Sequence, residues 1–212
     1  MSGQEFSKQA TGFPSVFFLD SEISQKYHVE MPKPNISIPP YVRSIIGDFS
    51  QSRDIARSFF ETIHEWMPII SKKRFYENFN PLCSLSPDHA LVILCMDLIS
   101  WLPGVQAHDG RTAPYLAAKK YYLDLELADV LSIQCLQAGI LIATFELGHA
   151  IYPSAYLSVA ACARYGSALG LDWRTASSRE CISCSVDSEE QSRAWWAIVL
   201  LDRYVLFHHF DC

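Results

Sequence analysis

The chain has 212 residues, half of them apolar, and a formal net charge of -6. At that length one domain can bury about 70% of the surface its unfolded form exposes, so a single sizeable core is expected. With seventeen Lys and Arg against 23 Asp and Glu, the chain as a whole is expected to repel a duplex, because phosphate binding needs a concentrated excess of Lys and Arg.

Charged residues are sparse at 19% and aromatics abundant at 13%, which points to apolar surface covered by a partner or by a further part of a chain. The cysteines form an odd set, Cys83, Cys95, Cys135, Cys162, Cys181, Cys184 and Cys212. Four lie in apolar runs where a thiol packs as a small hydrophobe, as in a reducing compartment. Met1 to Ala10 is polar, so no secretory signal is expected. The longest uncharged runs, Val130 to Phe145 and Leu147 to Ala163, fall short of a bilayer span and contain Gln134, Gln137, His149 and Pro153.

Residues 1–50 carry Met31-Pro32-Lys33-Pro34 and Ile38-Pro39-Pro40 without helical or strand periodicity, which predicts an extended arm with Val16-Phe17-Phe18-Leu19 as an apolar plug. From about Arg53, Ile55, Phe59, Thr62 and Ile63 share a helical face that ends at Trp66-Met67-Pro68. Ser71 opens a short helix with Phe75 and Phe79. Ser86, Pro87 and Asp88 mark the next start, and the helix they begin, apolar on every side from Ala90 to Met96, must sit among other helices before it stops at Pro103-Gly104.

Pro114 opens a helix with Tyr115, Ala118, Tyr122 and Leu125 on one stripe, and Ser132 caps another that runs to Gly148. Pro153-Ser154 begins a helix whose Ala155, Ala160, Ala161, Ala163 and Gly166 allow close approach, closed by Gly170. After a Ser-rich break from Thr175, Asp187 and Glu190 have the spacing of a reciprocal cap for a last helix, roughly Ser188 to Phe207. On it Trp195, Ile198, Val199 and Asp202 share a face expected to point inward, with Trp196 and Phe207 left partly uncovered. The fold class is all-α.

Catalytic and metal motifs are sought without success. Cys181-Ile182-Ser183-Cys184 has half the spacing of a zinc site, but His208, His209 and Cys212 supply no second close pair. His64-Glu65 starts a metalloprotease helix motif and fails at Pro68. There is no nucleophile elbow, phosphate loop or dinucleotide fingerprint, so no enzyme is expected. Lys72-Lys73-Arg74, the only basic run, is expected to be solvated. Glu146, Arg164, Asp202 and Arg203 interrupt apolar helices and either pair between helices or line a cavity for a small effector. Glu189 and Arg193 are expected to form a surface pair.

Four ordered segments carry a family resemblance: Phe17-Phe18-Leu19-Asp20; FFETIHEWMPIISKKRF from Phe59 to Phe75; Leu136 to Leu171; and EEQSRAWWAIVLLDRY from Glu189 to Tyr204. Together they resemble the fungal-specific transcription factor domain, the helical middle region of fungal zinc binuclear cluster regulators. The resemblance implies a nuclear transcription regulator, controlling a metabolic gene set, with Glu146, Arg164, Glu189, Arg193, Trp195, Trp196, Asp202 and Arg203 as structural residues of its motifs. Where the family commonly has two adjacent arginines, Ser192 takes the first place and Arg193 the second. Zinc is expected only in a six-cysteine cluster domain, and no such spacing precedes Phe17. The expectations are therefore an extended arm over 1–50, an incomplete helical domain over 51–212, no cofactor in this chain, DNA reached only through a partner, a protein partner or self-association, and no membrane. The alternative is a truncated remnant without function.

Overall fold

The computed structural model describes residues 36–79, 85–100, 110–171 and 186–209, with side chains of the last stretch from Ser188 to Leu206. The apolar plug at Phe17, the Met31 to Pro34 segment, the Pro103-Gly104 stop, the Ser-rich break before residue 186, and Cys83, Cys181, Cys184 and Cys212 lie outside these residues. The described residues belong to one compact unit, Pro32–Cys212, and contain eight α-helices and a 3-10 turn, with no strand among them.

Part of the stretch expected to be extended is helical: α1 spans Pro40–Ile46. Pro39 is extended and Pro40 supplies a preset φ at the first helical position. Seven residues are too few for a periodic signal, yet Val42 and Ile46, one turn apart, are buried. Gly47 then turns the chain at φ +67, where an added Cβ would lie 1.8 Å from Gln51 Oε1. Asp48 accepts from Gln51 N and donates its own N–H to Gln51 Oε1, both at 2.9 Å. This capping box starts α2, Phe49–Glu61, four residues before the hydrophobic pattern becomes visible at Arg53.

A 3-10 turn, Ile63–Glu65, follows, and Ser71 caps α3, Lys72–Asn78. Phe60 and Phe75 meet edge to face at 5.5 Å between centroids, and the His89 ring lies 4.6 Å from Phe75.

Two helices form the centre. Helix α4, Pro87–Ser100, is buried on every side from His89 to Met96, because α1, α2, α5 (Ala113–Leu127) and α6 (Ile133–Gly148) surround it. Helix α6 is buried from Cys135 to Ala143 and touches α4, α5, α7 (Ser154–Ala168) and α8 (Val186–His209). The Thr112 hydroxyl caps α5 and the Ser132 hydroxyl caps α6. Tyr165 of α7 fastens the turn between them, donating to Val130 O at 2.6 Å and accepting from Ser132 N at 3.1 Å. Gly170, at φ +70, closes α7, and Leu171 N bonds back to Gly166 O at 3.0 Å.

Helix α8 is turned from its expected orientation. Its buried stripe is Glu190, Ala194 and Ile198, successive one-turn steps, while Trp195, Val199 and Asp202 are only half-buried. The cause is Gly166 on α7: an added Cβ there would come within 3.1 Å of the Trp195 ring and 3.3 Å of Ile198. The missing side chain lets the Trp195 ring lie against the α7 backbone, packed half-buried at the edge of the core. The start at Val186 also puts Glu190 inside the helix, where it cannot close a cap.

Ile198→Ala is therefore expected to cost about 2–4 kcal/mol, and Trp195→Ala less than the ~3–5 kcal/mol of an enclosed tryptophan. Trp196→Ala, 64% exposed, is expected to stay within about 0.5 kcal/mol of the parent. Urea unfolding midpoints of the three variants check this ranking.

Candidate functional site

A carboxylate buried among helices must be met by donors, and Glu190 is met from three directions. Its Oε1 accepts from Ser71 N at 2.9 Å and Gln137 Nε2 at 2.7 Å. Its Oε2 takes Arg74 Nη1 at 2.8 Å. Gln137 Nε2 also donates to Ile69 O at 2.8 Å. Lys72 and Lys73 are exposed as expected, whereas Arg74 turns inward to this charge. The loop before α3, α3 itself, α6 and α8 thus share one carboxylate.

A second buried carboxylate, Glu146 on α6, is 0% exposed. Tyr115 Oη donates to its Oε1 at 2.7 Å and Lys119 Nζ approaches the same oxygen at 2.9 Å. The Ser158 hydroxyl of α7 sits 2.5 Å from Oε2 and accepts from Lys119. Burial, then the Glu146 carboxylate, pushes the Tyr115 phenol up to about 12, so Tyr115 stays a donor. Both networks saturate their carboxylates with donors from neighbouring elements, which fixes helix register.

The other residues singled out in the sequence lie apart from these networks. Arg164 and Arg203 are exposed and Asp202 half-buried, and none of the three forms an ion pair with another described residue. Glu189 and Arg193 are exposed and paired one turn apart, with Arg193 also near Pro68 O. Among the described residues a cleft of about 190 Å³ lies between α5 and α7 over α6, lined by Tyr122, Leu123, Gly139, Leu157 and Cys162 and, through Lys119 and Ser158, bordering the Glu146 network. Cys95, Cys135 and Cys162 are buried thiols on α4, α6 and α7. Burial raises all three, Cys135 to about 11 and Cys162 to about 12. Three such protonated thiols do not fit the thiolate donor set of a binuclear zinc cluster. No described helix is long and apolar enough to cross a membrane.

Tyr115, Lys119, Gln137 and Ser158 escaped the sequence reading. Tyr115 and Lys119, four apart on α5, carried a signal: a Lys one turn from a Tyr on a buried stripe asks for an acid. Glu190 carried another, standing four residues before Ala194 and eight before Ile198.

Losing Glu146 leaves Lys119, Tyr115 and Ser158 facing one another without their acceptor, so Glu146→Ala is expected to cost about 3–5 kcal/mol by denaturant titration. A pH effect is expected at His89, 6% exposed with Nε2 unpartnered. Burial holds its imidazole below the ordinary value, against the opposing Asp88 carboxylate. A folded value below the unfolded one means that stability is fully present above the ordinary His value of about 6.5 and is lost as pH falls through the folded value. The unfolding midpoint is thus expected to fall more between about pH 7.5 and about pH 5 in the parent than in His89→Leu.

The fungal specific transcription factor domain model matches residues 56–209, the span from α2 to the end of α8. Transcription factor BOA15 of Botryotinia fuckeliana (strain B05.10) is 36% identical over 157 residues, which make up 73% of this chain and 85% of that protein. No solved structure matches the chain. The Glu190 network joins Ser71 and Arg74 of the first internal motif to Gln137 of the second and to the helix of the third, so the segments that carry the likeness are the ones the fold ties together. The chain belongs to the fungal specific transcription factor domain family.

Proposed function

We propose that this chain is the regulatory and interaction module of a zinc-cluster-type fungal transcription factor, acting in the nucleus on a metabolic gene set and reaching DNA through a partner that supplies the zinc cluster. The family match over residues 56–209 carries the reading. Net charge -6 supports the indirect route to DNA, since the chain as a whole is repelled by a duplex. The curated relative, covered over 85% of its length, bears the name of a transcription factor, which favours a working regulator over a remnant. Two carboxylates saturated by protein donors favour a binding and packing role over catalysis.

The chain fused to a heterologous DNA-binding domain is expected to change reporter transcription in a fungal host, and Glu190→Ala in the fusion to abolish the change. The purified chain alone is expected to give no sequence-specific shift of duplex DNA. A fusion that accumulates in the nucleus and leaves the reporter silent would overturn the reading.

A further inference from the structure

The outward side of α8 has a pattern that packing against α6 and α7 does not explain. Glu189, Arg193, Trp196, Leu200 and Arg203 are all exposed and are spaced by four, three, four and three residues. That is the spacing of a heptad seam, which keeps side chains on one helix face over several turns. The middle of the seam is apolar, with Trp196 64% and Leu200 68% exposed, and Tyr204 beside them is 54% exposed. These three expose on the order of 400 Å², the size of the largest apolar patch on a typical domain, a patch that is often functional.

We propose that this face docks a second copy of the same chain, the two α8 helices crossing antiparallel on a two-fold axis at Trp196. The charges select the occupant and its direction. Glu189 and Arg203 stand seven residues to either side of Trp196, about 10 Å each way along the helix. An antiparallel pair centred there sets Glu189 of each copy against Arg203 of the other, lays the Arg193 stem on Leu200, and stacks Trp196 on Trp196. A parallel pair would oppose Glu189 to Glu189, Arg193 to Arg193 and Arg203 to Arg203. The Glu189 pairing with Arg193 along one helix is an exposed contact that two copies can exchange at little cost. The patch is about half of the ~800 Å² per partner of a standard interface, so the dimer is expected to form in the micromolar range.

Sedimentation velocity on the full chain, from low micromolar to several hundred micromolar, tests this. The parent is expected to pass from monomer to dimer. Trp196→Glu, Glu189→Arg and Arg203→Glu are each expected to remain monomeric while keeping the parent's helical circular dichroism. The double variant Glu189→Arg with Arg203→Glu restores opposite charges across the axis and is expected to dimerise again. A parent that stays monomeric throughout overturns the proposal and leaves the face to a partner of other sequence. A dimer that survives Trp196→Glu, or a folded double variant that stays monomeric, overturns it as well.

Discussion

The Glu190 carboxylate cannot lie in an apolar interior unless donors surround it, and the donors that do so lie 53 to 119 residues away in the chain. Ser71 N offers a helix-start N–H, Arg74 a charge, and Gln137 an amide that also ties down Ile69 O. None of these groups has a reason to be where it is without the others. The placement of α3 against the bundle and the presence of a polar residue, Gln137, among the buried positions of α6 both serve that single carboxylate. Replacing a hydrophobic contact by such a network gains little net stability, but it penalises wrong registers heavily, since a shift of one turn leaves several buried groups unpaired.

Glu146 does the same work on the other side of α6. There the partners come from α5 and α7, and Tyr115 remains protonated because burial and the adjacent anion both oppose its ionisation. Helix α6 is thus held by one carboxylate that it accepts from α8 and another that it presents to α5 and α7. That arrangement explains why a helix buried on nearly every side still carries Gln137 and Glu146.

Helix existence and order were legible wherever a capping hydroxyl or a proline start coincided with an apolar stripe, as at Ser71, Pro114, Ser132 and Pro153. The class was legible for the same reason. Helix α1 was not, because seven residues behind two prolines give no periodicity and only Val42 and Ile46 face inward. The turn of α8 was not, because Trp195 is the larger residue and Ala194 the buried one; only the absence of a Cβ at Gly166, on another helix, decides between them. Of the networks, sequence reasoning found Glu146 as a charge out of place. It took Glu190 for a cap, since its partners are set by tertiary contact and leave no local spacing. Arg74 sat in a basic run where two of the three residues do behave as a solvated face.

The three described cysteines draw a different line through the molecule. Cys95 and Cys135 sit on the two central helices and Cys162 on the inward face of α7, and burial keeps each sulfur in its less reactive, protonated form. An electrophile or peroxide reaches Cys95 and Cys135 only when the helices around them separate, whereas Cys162 also borders the cleft between α5 and α7. The labelling rate of Cys95 and Cys135 therefore reports how often the bundle opens, with Cys162 at the cleft as the internal reference for a thiol nearer the surface.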